Sequence, residues 1–239
     1  MTTRLMLLAV LALAPAGLFN QGNQLFARRD YAGATRAYEQ ALAAGPNADA
    51  CYNLGNALFK SGRVGRALVQ YRRAYALRPR DPDVARNLAF ARSYRVDKLT
   101  ASPGPIAGAV TRVFHLLSRR EAALLGAVCF ALAALFAAAR VLRRGTALTL
   151  GAALFGVLFL FGLVTQWVWS AETGMQPAVV VAPEIDALSG PGGESKPILR
   201  VHDGTEVRVR ERRGDYLLVQ LPGGSGGWVR AGDVERVYP

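Results

Sequence analysis

The chain has 239 residues, of which 51% are hydrophobic and 19% charged, a composition more apolar than that of most soluble proteins of this length. It carries 29 Lys and Arg against 17 Asp and Glu, a net charge of +12. Two cysteines and two histidines exclude a disulfide framework and leave little material for a histidine-based metal site. The apolar composition indicates that the chain contains membrane segments.

The beginning of the chain is typical of a secretory signal. Arg4 precedes ten apolar residues, Leu5 to Ala14, which are too few to span a bilayer comfortably. Small residues follow up to Ala16. We expect a signal peptide over residues 1–16, with cleavage after Ala16; an uncleaved anchor or the start of a buried helix is the alternative.

The next segment contains an internal repeat of 33 residues. Gly22, Ala34, Tyr38, Ala41 and Pro46 recur as Gly55, Ala67, Tyr71, Ala74 and Pro79. Small residues let two helices approach closely, and a proline ends the second helix of each pair. The pattern resembles the tetratricopeptide repeat. Because Asn87 to Ala89 match Asn53 to Gly55 at an offset of 34, we expect two repeats and a capping half-repeat over residues 17–99.

The resemblance implies that the first helix of each repeat lines a concave face, which binds a peptide segment or a partner helix. Asn23 and Asn56 occupy equivalent positions and resemble the asparagines that hold ligand backbone in peptide-binding members. The predicted partner-binding residues of this groove are Asn23, Tyr52, Asn53, Asn56, Lys60, Arg86, Asn87 and Phe90. Packing between repeats is the alternative role for the aromatic residues, and the asparagines are then solvated.

Two long apolar runs follow the repeats. Ala122 to Ala139 contains 18 residues without a charge, and Ala147 to Trp169 contains 23 more. At about 1.5 Å per residue, each run is long enough to cross a hydrocarbon core about 30 Å thick. We predict two transmembrane helices over residues 121–170, preceded by a linker and an interfacial amphipathic helix over residues 100–120. Two buried helices of a soluble domain are the alternative.

Charges beside the spans predict their orientation. The connection between the spans contains three arginines, Arg140, Arg143 and Arg144, which favour the cytoplasmic side. Arg119 and Arg120 before the first span favour the opposite arrangement, and the signal sequence decides for export of both flanks. An inverted topology, with the basic repeats facing an acidic or nucleic-acid partner in the cytoplasm, requires the first segment not to act as a signal. The basic excess of residues 17–100 equally suits a nearby anionic lipid surface.

Residues 178–239 contain short alternating runs separated by turn residues, which are typical of a small antiparallel barrel. The predicted strands are Val179 to Val181, Ile198 to Val201, Thr205 to Arg210, Tyr216 to Leu221 and Trp228 to Arg230. Leu188 to Pro191, Asp203 to Thr205 and Gly227 to Val229 together resemble a bacterial SH3 domain. We therefore expect an SH3-like barrel, with Tyr216 and Trp228 as its partner-binding residues.

Nothing in the sequence predicts catalysis, because it has no Gly-rich phosphate loop, no metal-ligand cluster and no convincing pairing of a nucleophile with a base. Cys51 falls at a packing position of a repeat helix, and we expect it to be buried rather than reactive. We expect no enzymatic activity, no catalytic residue, no cofactor, no metal and no nucleic-acid partner.

The predicted fold class is multidomain: an all-α tetratricopeptide helical repeat, a two-helix transmembrane hairpin and a C-terminal all-β SH3-like barrel. This order of modules resembles the BatE proteins of the bacterial aerotolerance operon. The resemblance implies a scaffold in the bacterial inner membrane with both soluble domains in the periplasm. It also implies protein partners, namely von Willebrand factor A-type membrane proteins and a MoxR-type ATPase, in aerotolerance or stress tolerance. The alternative is a peptidoglycan-binding membrane anchor that acts through the SH3-like domain.

Overall fold

The computed structural model describes residues 16–98, 104–192 and 194–238. The expected signal peptide lies outside these residues apart from Ala16, and so does the expected repeat boundary at residue 99. The described chain forms two compact units. One contains the residues up to 98 together with those from 175 onward, and the other contains residues 104–174.

Five helices precede residue 98. They are α1 over residues 16–27, α2 (Tyr31–Leu42), α3 (Ala48–Lys60), α4 (Val64–Leu77) and α5 (Pro82–Ser93). Short polar side chains cap three of them: Asp30 accepts from the backbone N–H of Gly33, Asn47 from that of Ala50, and Asp81 from two N–H groups of α5. The helices form two antiparallel pairs and a final single helix, as the repeat pattern predicts.

Small residues set the distance between the helices of each pair. A Cβ atom on Gly22 would lie 2.5 Å from the ring of Tyr38, and one on Gly55 would lie 2.7 Å from the ring of Tyr71. Each tyrosine ring therefore occupies the space that a larger residue would fill. Both tyrosines are at most 2% exposed and belong to the repeat core.

The C-terminal strands form one antiparallel sheet. Its strands are β1 (Pro177–Val180), β2 (Glu184–Leu188), β3 (Pro197–His202), β4 (Glu206–Arg213), β5 (Tyr216–Gln220), β6 (Gly226–Arg230) and β7 (Val234–Arg236). Their order is β3-β2-β6-β5-β4-β1-β7. The expectation of a closed barrel is wrong: β3 and β7 stand at opposite edges and are not paired among the described residues, so the sheet is open.

The sheet packs against the repeats within the same unit. Strand β1 is buried on both faces: Ala178 and Val180 belong to the sheet core, whereas Val179 belongs to the repeat core. Val237 also enters the repeat core, where it meets the cluster that contains Leu68 of α4. Both Val179 and Val237 are fully buried. The repeats and the sheet thus share apolar packing although the two apolar helices separate them in sequence.

Arginines of the repeats bind carboxylates of the sheet. Glu206 at the start of β4 lies within 3.2 Å of three guanidinium groups, those of Arg72, Arg92 and Arg95. Burial by itself raises the pKa of Glu206, but hydrogen bonds and charge from Arg92, with charge from the other two arginines, outweigh burial and leave that pKa below its usual value. Part of the basic excess of the repeats, for which an anionic surface was one alternative partner, is therefore neutralised within the chain.

Polar groups of the turn between β3 and β4 complete this contact. Both carboxylate oxygens of Asp203 accept from the N–H of Gly65, at 3.0 and 3.1 Å. Arg63 at the N-cap of α4 provides no side-chain hydrogen bond, so Asp203 takes the place of a cap from the helix itself. After α5, Asp97 accepts from the hydroxyl of Thr205 at 2.6 Å and from the backbone N–H of His202 at 2.8 Å.

The second unit contains α6 (Pro105–Phe114), α7 (Arg119–Leu142) and α8 (Thr146–Gly174). Helices α7 and α8 are long and apolar enough to cross a membrane, and the most apolar stretch of 18 residues in each has a mean hydropathy of 2.4. Only 17% of that stretch is buried in α7 and 6% in α8, whereas core helices of a soluble domain would be mostly buried. Gly162 of α8 lies close enough to α7 that a Cβ atom on it would be 3.1 Å from the carbonyl oxygen of Ala122.

Candidate functional site

Helices α1, α3 and α5 are the first helices of the successive repeats, and a row of asparagine amides joins them. In α1 and α3 the amides belong to Asn23 and Asn56, which are equivalent in the 33-residue repeat. In α3 and α5 they belong to Asn53 and Asn87, which are equivalent at an offset of 34. We call the face of α1, α3 and α5 that carries these four residues the repeat groove.

The hydrogen bonds of the two repeats follow one scheme. Oδ1 of Asn23 accepts from the hydroxyl of Tyr38 at 2.8 Å and from Nδ2 of Asn53 at 3.0 Å. One repeat later, Oδ1 of Asn56 accepts from the hydroxyl of Tyr71 at 2.8 Å and from Nδ2 of Asn87 at 2.9 Å. Each amide oxygen is thus held by its own repeat and by the next helix of the groove.

This scheme fixes which way the amides of Asn23 and Asn56 present their donors. A tyrosine hydroxyl is protonated at neutral pH, and burial raises the pKa of Tyr38 and of Tyr71 further, so both hydroxyls have a proton to donate to the asparagine oxygens. With the oxygen of each amide occupied by two donors, Nδ2 is left to donate elsewhere. No acceptor for Nδ2 of Asn23 or Asn56 is found among the described residues.

The groove contains a small open cavity with a volume of about 210 Å³. Its lining consists of Asn23, Phe26, Tyr38, Asn53 and Asn56. The sheet lies against α4 and the end of α5, so it leaves this cavity uncovered. The cavity suits a chain segment that offers backbone carbonyl and N–H groups to the amides.

The predicted groove residues divide into two groups. Tyr52 joins the amide network, because its hydroxyl accepts from Nδ2 of Asn87 at 3.0 Å. Lys60, Arg86 and Phe90 lie outside that network and are exposed. Arg86 pairs with Asp83 in the first turn of α5. The structure therefore brings together the four asparagines and Tyr52, and it places the other three predicted residues around them.

Sequence reasoning missed Tyr38 and Tyr71 as site residues. The two tyrosines form one of the five pairs that recur at an offset of 33, but the repeat explains them equally well as packing residues. The available signal was the pairing of each tyrosine with an asparagine 15 residues earlier, Asn23 with Tyr38 and Asn56 with Tyr71. Phe26, which lines the cavity, is offset by 33 from Phe59 in the same way.

Tyr216 and Trp228, predicted in the sheet, lie on neighbouring strands. Trp228 pairs with Leu218, and Tyr216 pairs with Arg230, so the two aromatic residues stand diagonally on one side of β5 and β6. Trp228 is only 7% exposed, and the guanidinium of Arg213 lies 5.3 Å from the centre of its ring. Little of this ring is open to a ligand.

The described residues contain no group of three or more His, Cys, Asp or Glu side chains that would hold a metal ion. Cys51 is 3% exposed, and burial raises the pKa of its thiol. His115 stacks on Trp169 with ring centres 4.3 Å apart, and its Nε2 lies 3.2 Å from a carboxylate oxygen of Glu172. These features fit packing and a polar contact between the imidazole and the carboxylate.

Comparison with known proteins supports the interpretation of the helices. Residues 19–82 match the family model of the tetratricopeptide repeat, which covers about a quarter of the chain. This part of the protein is a tetratricopeptide repeat unit, a class of fold whose extended surfaces serve as scaffolds for other proteins. No curated protein matches the chain.

Proposed function

We propose that this protein is a non-enzymatic scaffold of the bacterial inner membrane, whose repeat groove binds an extended segment of a protein partner. The observation that carries the proposal is the pair of amides at Asn23 and Asn56. Each has its oxygen held by a tyrosine and by the next helix, and each directs free N–H groups beside an open cavity. Donors held in this way match the carbonyl groups of a peptide backbone.

The packing of the sheet on the repeats supports a location of both on one side of the membrane. Val179 and Val237 follow the two apolar helices in sequence, yet they fill the core of repeats that precede those helices. A chain that crosses the membrane twice ends on the side where it began, so the repeats and the sheet can meet there. The arginines between the spans, Arg140, Arg143 and Arg144, favour the cytoplasm, and the repeats and sheet then face the periplasm.

The sheet acts in this proposal as an SH3-like module that supports the repeats and offers a second contact surface. The order of modules resembles the BatE proteins, and the partners implied are von Willebrand factor A-type membrane proteins in a complex for aerotolerance. The peptidoglycan-binding alternative would act through Tyr216 and Trp228. The burial of Trp228 favours the scaffold over this alternative.

Photo-crosslinking in cells tests the groove. Benzoylphenylalanine at the position of Phe26, which lines the cavity, should form adducts with a protein partner. The same probe at Arg36, exposed on α2, is the matched control and should form none. Asn56→Ala should abolish the adducts from position 26 while circular dichroism stays unchanged. Equal adducts from both positions, or adducts insensitive to Asn56→Ala, would contradict the proposal.

Cysteine labelling tests the orientation. Gly17, Gly145 and Gly232 all have open space where a side chain would start, so cysteine is tolerated at each. In intact spheroplasts an impermeant maleimide should label Gly17→Cys and Gly232→Cys, and should label Gly145→Cys only after the membrane is permeabilised. The opposite pattern would place the repeats and the sheet in the cytoplasm.

A further inference from the structure

The position held by asparagine in the first two repeats is aromatic in the third helix of the groove. Nδ2 of Asn53 donates to Asn23, and Nδ2 of Asn87 donates to Asn56 in the same way. This makes Asn53 and Asn87 equivalent in space. The residue three positions after Asn53 is Asn56, and the residue three positions after Asn87 is Phe90.

Phe90 belongs to a cluster of three aromatic rings, Phe59, Phe90 and Tyr94, which we call the aromatic triad. Phe59 lies 5.6 Å from Phe90 and 5.2 Å from Tyr94, and Phe90 lies 5.0 Å from Tyr94, measured between ring centres. Phe90 is 52% exposed and Tyr94 is 58% exposed. Packing within the repeats therefore covers Phe90 and Tyr94 only in part, and a large apolar area remains exposed to water.

The surroundings of the triad indicate a peptide as the occupant. The amides beside it present both kinds of backbone partner: Nδ2 of Asn56 is a free donor, and Oδ1 of Asn87 has no donor among the described residues. Lys60 lies four residues after Asn56 on the same helix face, is exposed, and forms no ion pair within the described parts of the chain. A donor on one amide and an acceptor on the neighbouring amide fit a peptide group, and a cation without an ion pair fits an acidic residue.

We propose that the repeat groove selects an extended peptide with a large apolar side chain, which packs on the aromatic triad, next to an acidic residue that pairs with Lys60. This inference rests on the proposed function, because it names the class of peptide that the groove binds. The asparagines hold the backbone whatever its sequence, and the triad with Lys60 supplies the sequence preference. Phe90 and Lys60 are then residues that determine specificity.

Selection from a random peptide library tests this proposal. The full chain in detergent is panned against displayed peptides of twelve random residues. We expect enrichment of Phe, Tyr, Trp, Leu or Met beside Asp or Glu. Phe90→Ala should weaken the selected peptides at least about tenfold and remove the apolar preference. Lys60→Gln should remove the acidic preference, and Lys98→Gln, also exposed but outside the groove, is the matched control that changes neither.

The outcomes separate this inference from the proposed function. Peptides selected without an apolar preference, or bound equally well by Phe90→Ala, would overturn the inference and leave peptide binding intact. Failure to select any peptide would overturn both. Crosslinking of a photoactivatable phosphatidylglycerol to the triad in liposomes would also overturn the inference, because it would assign the three rings to the membrane surface.

Discussion

Loss of the Glu206 carboxylate should open the contact between the repeats and the sheet. The side chain of Glu206 is 16% exposed, and two of its three arginine partners are comparably buried, with Arg95 at 8% and Arg72 at 14%. Removing one member of a buried ion pair costs about 3–5 kcal/mol, because the partner charge stays buried without compensation. Arg92 is 40% exposed and adds at most about 1 kcal/mol.

Glutamine at position 206 keeps the shape and one acceptor, so we expect Glu206→Gln to cost about 2–4 kcal/mol of docking free energy. The backbone N–H of Gly65 reports on docking directly, since it donates to Asp203 across the contact. Its hydrogen exchange, measured by mass spectrometry on the full chain in detergent, should accelerate about 30-fold to 700-fold.

Glu211→Gln is the matched control for this experiment. Glu211 lies on the same strand, but it is exposed, and its one ion pair among the described residues is with the exposed Arg213. We expect an effect below about 0.5 kcal/mol at Gly65. If Glu206→Gln and Glu211→Gln accelerate exchange equally, the arginine cluster does not hold the sheet on the repeats and apolar packing alone does.

Three further predictions concern pH, packing and reactivity. Because the pKa of Glu206 is lowered in the folded chain, the stability that its carboxylate contributes is complete above its unfolded pKa of about 4.5 and is lost as pH falls through the lower folded value. Hydrogen exchange at Gly65, measured against pH, should therefore show an opening of the contact in acid that Glu206→Gln reduces. Gly55→Ala should lower stability by about 1–3 kcal/mol in chemical denaturation, because the new Cβ meets the ring of Tyr71, whereas Gly17→Ala has open space and should be neutral or better. Cys51 should react with a thiol reagent only after unfolding, and fast labelling in the native protein would show that α3 is open.

The helical part of the fold was accessible from sequence because its signals are local. The recurrence of Gly22 and Tyr38 as Gly55 and Tyr71 predicts the helix pairs, and the charge-free runs predict the two long helices. Strand β2 was missed although Glu184 to Ala187 alternate between polar and apolar residues, because the run has only five residues and Ala187 alone among them is buried. The three-residue strand β7 is too short for a pattern.

The site was predictable only in part, for a physical reason. Asn23 and Asn56 emerge from the repeat, but the direction of their amides depends on hydroxyls from other helices, which spacing along one helix does not encode. One feature of the sequence could have predicted that the sheet docks on the repeats. Strand β1 reads Pro177 to Val180 without polar alternation, which is typical of a strand buried on both faces.

The cap of α4 imposes an order on the biogenesis of this protein. Asp203, which accepts from the N–H of Gly65 in the first turn of α4, is 138 residues away from Gly65 in the chain, and both apolar helices are synthesised between them. The emerging repeats therefore lack this cap, and also Val179 and Val237 in their core, until translation has passed the second apolar helix. Completion of the repeat core is in this way coupled to synthesis of both apolar helices, so we expect a chain truncated before the sheet to carry less stable repeats that proteases degrade more readily.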